Sequence, residues 1–166
     1  GVLLAVKQPL TSQMIATEIN TETVFCKIEN GNKPPLIVGS IYRPPNSPSN
    51  TNSDLCQTIH NIVSKHKNAA FLIGGDFNLS DVNWEDGAFH CKHNSREINE
   101  LFLETTLDLG LHQVVNENTR EKATLDLLFT NEPDLIQNAQ VEPGLSDHEI
   151  VKVEYKMNPT KRKKEK

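Results

Sequence analysis

Residues 69–84, AAFLIGGDFNLSDVNW, constrain the fold more than any other stretch of this 166-residue chain. Ala70-Phe71-Leu72-Ile73 is a continuous apolar run stopped by Gly74 and Gly75, which fits a strand buried on both faces. Asp76 and Asn78 follow at once, with Phe77 between them. Period-two geometry sets the two polar residues on one side, just past the strand's end. In open α/β sheets that end is where ligands bind. A carboxylate beside a carboxamide can hold a metal-bound phosphate and a water. The same residues also make a plain turn, so this stretch alone leaves both readings open.

The rest of the chain alternates strands with two helices. Residues 2–6 (VLLAV) read as a buried strand and residues 13–19 as a weaker one. Residues 23–28 and 36–42 flank an Asn-Gly-Asn-Lys turn signal, which predicts an antiparallel meander ending at Arg43-Pro44-Pro45. A helix is expected from about Asp54 to His66, capped by Ser53. A second opens at Asn94-Ser95-Arg96-Glu97, with Asn94 as the cap, and stops at Gly110. Between them residues 79–93 form a long polar loop anchored by Trp84. Short strands follow at 111–115, 124–130 and 136–141, and a clean alternating strand at 149–155. Strands outnumber helices and the helices fall between groups of strands. That pattern predicts an α/β or α+β domain with sheets packed face to face, flanked by helices.

Composition is that of one globular domain, with 36% hydrophobic and 23% charged residues. No apolar run approaches a membrane span and there is no secretory signal pattern, so an intracellular protein is expected. The net charge of -5 counts against a broad DNA-binding face. The one basic run, Lys161-Arg162-Lys163-Lys164-Glu165-Lys166, marks residues 158–166 as a disordered tail or a nuclear address beyond a domain spanning 1–157. Cys26, Cys56 and Cys91 are odd in number and far apart, so no disulfide framework is expected. His90-Cys91-Lys92-His93 lacks a second ligand pair and reads as a loop rather than a zinc site.

The candidate chemistry lies at strand ends. Asp76 and Asn78 follow one strand, Tyr42 ends another, Asp126 interrupts the apolar run of residues 124–130, and Asp147 and His148 precede the last strand. An unpaired carboxylate inside a strand is costly, so Asp126 either faces solvent or has a partner. A histidine works as acid or base near neutral pH when a carboxylate fixes its tautomer, which makes Asp126 the natural partner of His148. Oxygen ligands for a divalent metal are available at Asp147 or Asp76. Together these groups suggest one phosphoester-cleaving site.

The segments Ile41-Tyr42-Arg43-Pro44-Pro45, Gly75-Asp76-Phe77-Asn78, Thr124-Leu125-Asp126 and Ser146-Asp147-His148 occur in the order and rough spacing of the endonuclease/exonuclease/phosphatase superfamily. Over residues 1–155 the chain resembles that deoxyribonuclease-I-like fold, and most nearly the endonuclease domain of non-LTR retrotransposons of the jockey and chicken-repeat type. The resemblance implies a two-layer β-sandwich and a Mg²⁺-dependent, or Mn²⁺-dependent, DNA endonuclease. Such a domain stands beside a reverse transcriptase in its parent polypeptide. It further implies that Asp76 handles the proton of the attacking water or leaving group. Asn78 and Tyr42 would contact the phosphate. Asp147 would ligate the metal, and His148, oriented by Asp126, would stabilise the phosphate's charge. Ser146, Thr124 and Arg43 would be supporting substrate contacts. The family has two earlier strands that carry an asparagine and a metal-binding glutamate. This chain opens with Gly1 on what resembles the third strand, and neither Glu18 nor Glu22 ends an apolar strand. The first strands are therefore expected to be missing. That leaves two alternatives beside the nuclease: a remnant that folds or binds without catalysis, and a small-molecule phosphatase of the same fold.

Overall fold

The apolar run at the start of the Gly-Gly stretch becomes an inner strand of a six-stranded sheet in the computed structural model, which describes residues 1–144 and 146–157. The basic tail expected at 158–166 lies outside the described residues. In chain order the strands are β1 (Ser12–Ile15), β2 (Thr23–Asn30), β3 (Lys33–Tyr42), β4 (Ala70–Asp76), β5 (His112–Gln113), β6 (Asp126–Thr130), β7 (Ile136–Glu142) and β8 (Ile150–Tyr155). The helices are α1 (Ser49–Lys65) and α2 (Arg96–Asp108). The large sheet runs β1-β2-β3-β4-β6-β5, and β7 and β8 form a separate two-stranded ribbon.

The expected meander is present. β1, β2 and β3 pair antiparallel, and Asn30 opposite Lys33 leaves Gly31-Asn32 as a two-residue turn with Gly31 at φ 62°. β4 then joins β3 in parallel, with α1 as the crossover, and β6 closes on β4 antiparallel. β4 runs through both glycines to Asp76 instead of stopping at them. Gly75 holds φ at 149°, and a Cβ there would lie 1.8 Å from the Ile41 carbonyl oxygen. Only glycine permits this close approach of β3 and β4 beside Asp76.

The alternation of β3, β4 and β6 sorts their side chains onto two faces. Ile37, Ile41, Phe71, Ile73, Leu127 and Phe129 face the helices and form the main core with Leu55, Ile59, Ile62 and Phe102. Phe77 packs edge-on against Phe102 and Phe129, and Trp84 anchors its loop against Phe129 at 5.1 Å between ring centroids. The other face carries a smaller cluster of Ile28, Leu36 and Ala70, covered by Val6, Leu10, Tyr155 and Met157. The result is a mixed α/β fold in which helices cover one face of the sheet and the ribbon and residues 1–10 cover the other.

Several local expectations are corrected. Residues 2–6 form no strand; Leu3 is 84% exposed, and alternate side chains of the segment lie against the sheet face without backbone pairing. α1 starts at Ser49, directly after Pro48, rather than near Asp54. The cap of α2 is Ser95, whose Oγ accepts the Ile98 N–H, because the Asn94 side chain is engaged elsewhere. All three cysteines are free thiols. No helix among the described residues is long and apolar enough to cross a membrane.

Candidate active site

Strand register builds the site. Tyr42 pairs with Asp76 across the parallel β3–β4 ladder, and Asp76 pairs with Asp126 across the antiparallel β4–β6 ladder. Laterally paired residues share a face. Tyr42, Asp76 and Asp126 therefore stand in one row at the strand ends, on the face turned away from the helices. The residues before and after Asp126 in the chain, Leu125 and Leu127, are buried on the opposite side, which explains how a carboxylate interrupts an apolar strand.

The partner of Asp126 comes from outside the sheet. His148, in the loop before β8, places Nδ1 2.8 Å from Asp126 Oδ2. One threonine braces both halves of this pair. Thr119 is fully buried, and its Oγ1 accepts the N–H groups of Leu125 (3.0 Å) and Asp126 (2.9 Å). Its carbonyl accepts the N–H of Glu149, next to His148, at 2.7 Å. Thr119 gave no sequence signal, because a threonine in a polar loop looks like every other loop threonine.

Two carboxylates side by side with one histidine form an electrostatically loaded group. Burial pushes the Asp76 carboxyl above the usual carboxylate range, and the neighbouring Asp126 charge pushes it further. His148 and hydrogen bonds from Asn78 act in the opposite direction; the Asn78 N–H donates to Asp76 Oδ1 at 3.2 Å. Asn78 itself sits at φ 50°, a left-handed conformation that asparagine tolerates. Its amide nitrogen donates to the Arg43 carbonyl at 2.9 Å.

Arg43, expected as a supporting substrate contact, is turned into the protein interior. It is 1% exposed. Its Nε donates to Asn52 Oδ1 (2.6 Å), Nη1 to the carbonyls of Phe77 (3.0 Å) and Asn78 (3.1 Å), and Nη2 to Asn94 Oδ1 (2.7 Å). The guanidinium also stacks over Phe102 at 5.7 Å. One side chain thus ties the end of β3 to α1, to the turn after Asp76 and to the loop that leads into α2. Asn52 and Asn94, both buried, are its neutral partners.

The remaining expected residues fall at the rim. Ser146 Oγ accepts the His148 N–H at 3.5 Å and so shapes the histidine loop. Thr124 Oγ1 donates to the Glu117 carbonyl, 3.0 Å away, and supports the approach to β6. Asp147 is exposed and pairs with Arg120 Nη2 at 2.5 Å. Among the described residues no group of three or more His, Cys, Asp or Glu side chains converges as a metal ion requires. The donors present do not fit a divalent-cation site: the row offers Asp76 and Asp126, while Asp147 stands apart on an arginine.

The comparisons with known proteins agree with this architecture. The sequence pattern described as endonuclease-reverse transcriptase matches residues 36–152. Among solved structures the chain is similar to a 3'-5' exonuclease from Neisseria meningitidis, at 15% identity and TM-score 0.60, covering 87% of this chain and 72% of that one. It is similar to an endonuclease/exonuclease/phosphatase family protein from Leptotrichia buccalis, at 18% identity and TM-score 0.56, covering 81% and 53%. A conserved protein of unknown function from Enterococcus faecalis matches at 14% identity and TM-score 0.52, covering 81% and 55%. The chain thus spans about half the length of the last two. No curated protein matches its sequence significantly. With the matched pattern extending over most of its length and this fold shared with those structures, the chain belongs to the endonuclease-reverse transcriptase family of the endonuclease/exonuclease/phosphatase superfamily.

Proposed function

We propose that this chain hydrolyses phosphodiester bonds in DNA, as the endonuclease part of a retroelement polypeptide that also carries a reverse transcriptase. The observation behind the reading is the convergence of Asp76, Asp126 and His148 at one end of the sheet, with His148 Nδ1 2.8 Å from Asp126. Because Asp126 engages Nδ1, Nε2 is the nitrogen left for a substrate phosphate. A protonated imidazole there stabilises negative charge as it develops on the phosphoryl oxygens. Asp76 is the proposed general base. Its raised proton affinity suits it to take the proton of an attacking water and pass it to the leaving oxygen. Tyr42, in the same row, is the proposed hydroxyl donor to the phosphate. Asn78 acts from the adjacent turn, where its side chain bonds both the Arg43 carbonyl and the Asp76 carboxylate.

The resemblance carries Mg²⁺ or Mn²⁺ as cofactor. The described donors do not complete a site for either, and no step of the mechanism is routed through a metal. That incomplete donor set favours one second reading, a domain that holds DNA without cutting it. Nicking of supercoiled plasmid separates the two, with Mg²⁺, Mn²⁺ and EDTA as arms and release of phosphate from inositol phosphates as the small-molecule arm. The expected result is open-circular product that disappears in Asp76→Asn. Equal nicking by Asp76→Asn refutes the assignment of the base. A folded chain that binds DNA but never nicks it establishes the second reading.

A further inference from the structure

A cleft of about 660 Å³ adjoins the site at Asn78. It starts at Asn78 and runs between two walls. One wall is the loop at residues 90–94, the other the turn at residues 120–123. Both walls are built rigidly. Asp81 is buried, its Oδ2 accepts the N–H groups of His93 and Asn94 at 2.7 Å each, and its carbonyl accepts the His90 N–H at 2.9 Å. The opposite turn is closed by reciprocal backbone bonds between Arg120 and Ala123 at 3.0 and 2.9 Å. Exposed Lys92 stands on the first wall and exposed Lys122 on the second. His90 and His93 lie on the first wall; Glu121 is the exposed acid of the lining, and Arg120 is committed to Asp147. A chain of net charge -5 thus concentrates cations on both sides of one groove.

The geometry points to this groove as the seat of one strand of duplex DNA flanking the cleaved phosphate, with Lys92 and Lys122 bracketing its sugar–phosphate backbone. The inference rests on the phosphodiesterase reading, because Asn78, in the turn after Asp76, is part of the groove's lining. Its lining also contains Leu125, the residue before Asp126. Its flat rings among the described residues are His90 and His93, both on the first wall, whereas exposed lysines stand on both walls, where they meet phosphates rather than bases. Backbone contacts alone suit a strand whose bases remain paired and stacked.

Binding of a labelled 20-base-pair duplex, followed by anisotropy across a salt series, tests this independently of cleavage. The double variant Lys92→Glu/Lys122→Glu is expected to bind about tenfold more weakly at low salt. Its log–log salt slope should be shallower by about two. Lys92→Arg/Lys122→Arg should bind as the unmodified chain does. Lys33→Glu, at the far end of β3, makes a charge change outside the groove and should leave affinity within about twofold. Equal binding by the double variant overturns the inference, and so does an equal loss in Lys33→Glu, which would reflect net charge alone. A single strand bound much more tightly than the duplex also overturns it. If the unmodified chain binds duplex through these lysines but never nicks plasmid, the catalytic reading fails and the groove stands.

Discussion

Replacing Arg43 by methionine removes a buried charge hydrogen-bonded to neutral acceptors, and the structure allows the cost to be worked out. Three acceptors lose their donor, Asn52 Oδ1, Asn94 Oδ1 and the Phe77 carbonyl, while the Asn78 carbonyl keeps its bond from Asn94 Nδ2. A buried acceptor left unsatisfied costs about 1–3 kcal/mol, so the gross penalty lies between about 3 and 9 kcal/mol. Removing the guanidinium recovers part of this, because its own desolvation no longer has to be overcome. The net cost of Arg43→Met is expected at about 3–5 kcal/mol, the upper part of the range for substitutions that break a buried hydrogen-bond network. A domain of this size loses roughly 2–4 °C of Tm per kcal/mol, so melting should fall by roughly 6–20 °C. Arg43→Lys, a compact ammonium without the planar fork, should recover only part of the loss. Far-UV circular dichroism melts and urea titrations of the three proteins measure it. A change below about 1 kcal/mol in Arg43→Met, joined to a selective rise in KM for DNA, would refute the tie and restore Arg43 as a substrate contact.

Two further outcomes follow from the charges in the site. The Asp76 carboxyl binds its proton more tightly folded than unfolded, so its contribution to stability is fully present below its ordinary unfolded value and is lost as pH rises through the raised folded one. Asp76→Asn should therefore melt higher than the unmodified chain at pH 7 and lose that advantage at about pH 3, while nicking is abolished; equal melting shifts at both pH values would contradict the electrostatic origin. The Arg120–Asp147 pair is exposed on both sides and is worth at most about 1 kcal/mol. Arg120→Ala should tighten Mg²⁺ binding by no more than about fivefold in calorimetric titration, and sub-millimolar binding by the unmodified chain would show a donor set that the described side chains do not form.

What the sequence revealed, and what it hid, divides along the distinction between pattern and contact. β4 was legible because a strand buried on both faces leaves an unbroken apolar run, and the meander was legible from alternation and the Asn-Gly turn. Asp126 was legible as an anomaly, since a carboxylate in an apolar strand requires a reason. Its bond to His148 spans 22 residues of chain, and no local pattern encodes that distance. Arg43, beside Tyr42 in a shared motif, looked like a second substrate contact, and the fold buries it. Alternation already separates them, for adjacent strand residues face opposite sides and Tyr42 takes the face of the site. The segment 2–6 has the composition of a strand, but composition is silent on whether a neighbour offers hydrogen bonds. The long-range ties, Asn94 to Arg43 and Asp81 to the loop at 90–94, are equally invisible before folding.

The His148–Asp126 bond crosses from the ribbon to the main sheet, and this makes the site a joint between two bodies of unequal persistence. An isolated pair of strands is marginal in water. The β7–β8 ribbon is held to the rest by the Tyr155 and Met157 contacts, by the Glu149 and Val141 N–H groups on Thr119 and Glu117, and by the dyad itself. Peeling the ribbon away separates histidine from aspartate while the sheet and its helix-side core stay whole. Local openings of this kind lie far below the global unfolding free energy. The dyad is therefore assembled only while the ribbon is docked, and a phosphate bridging His148 and the sheet would clamp the two bodies together, so that substrate completes the very scaffold on which it reacts.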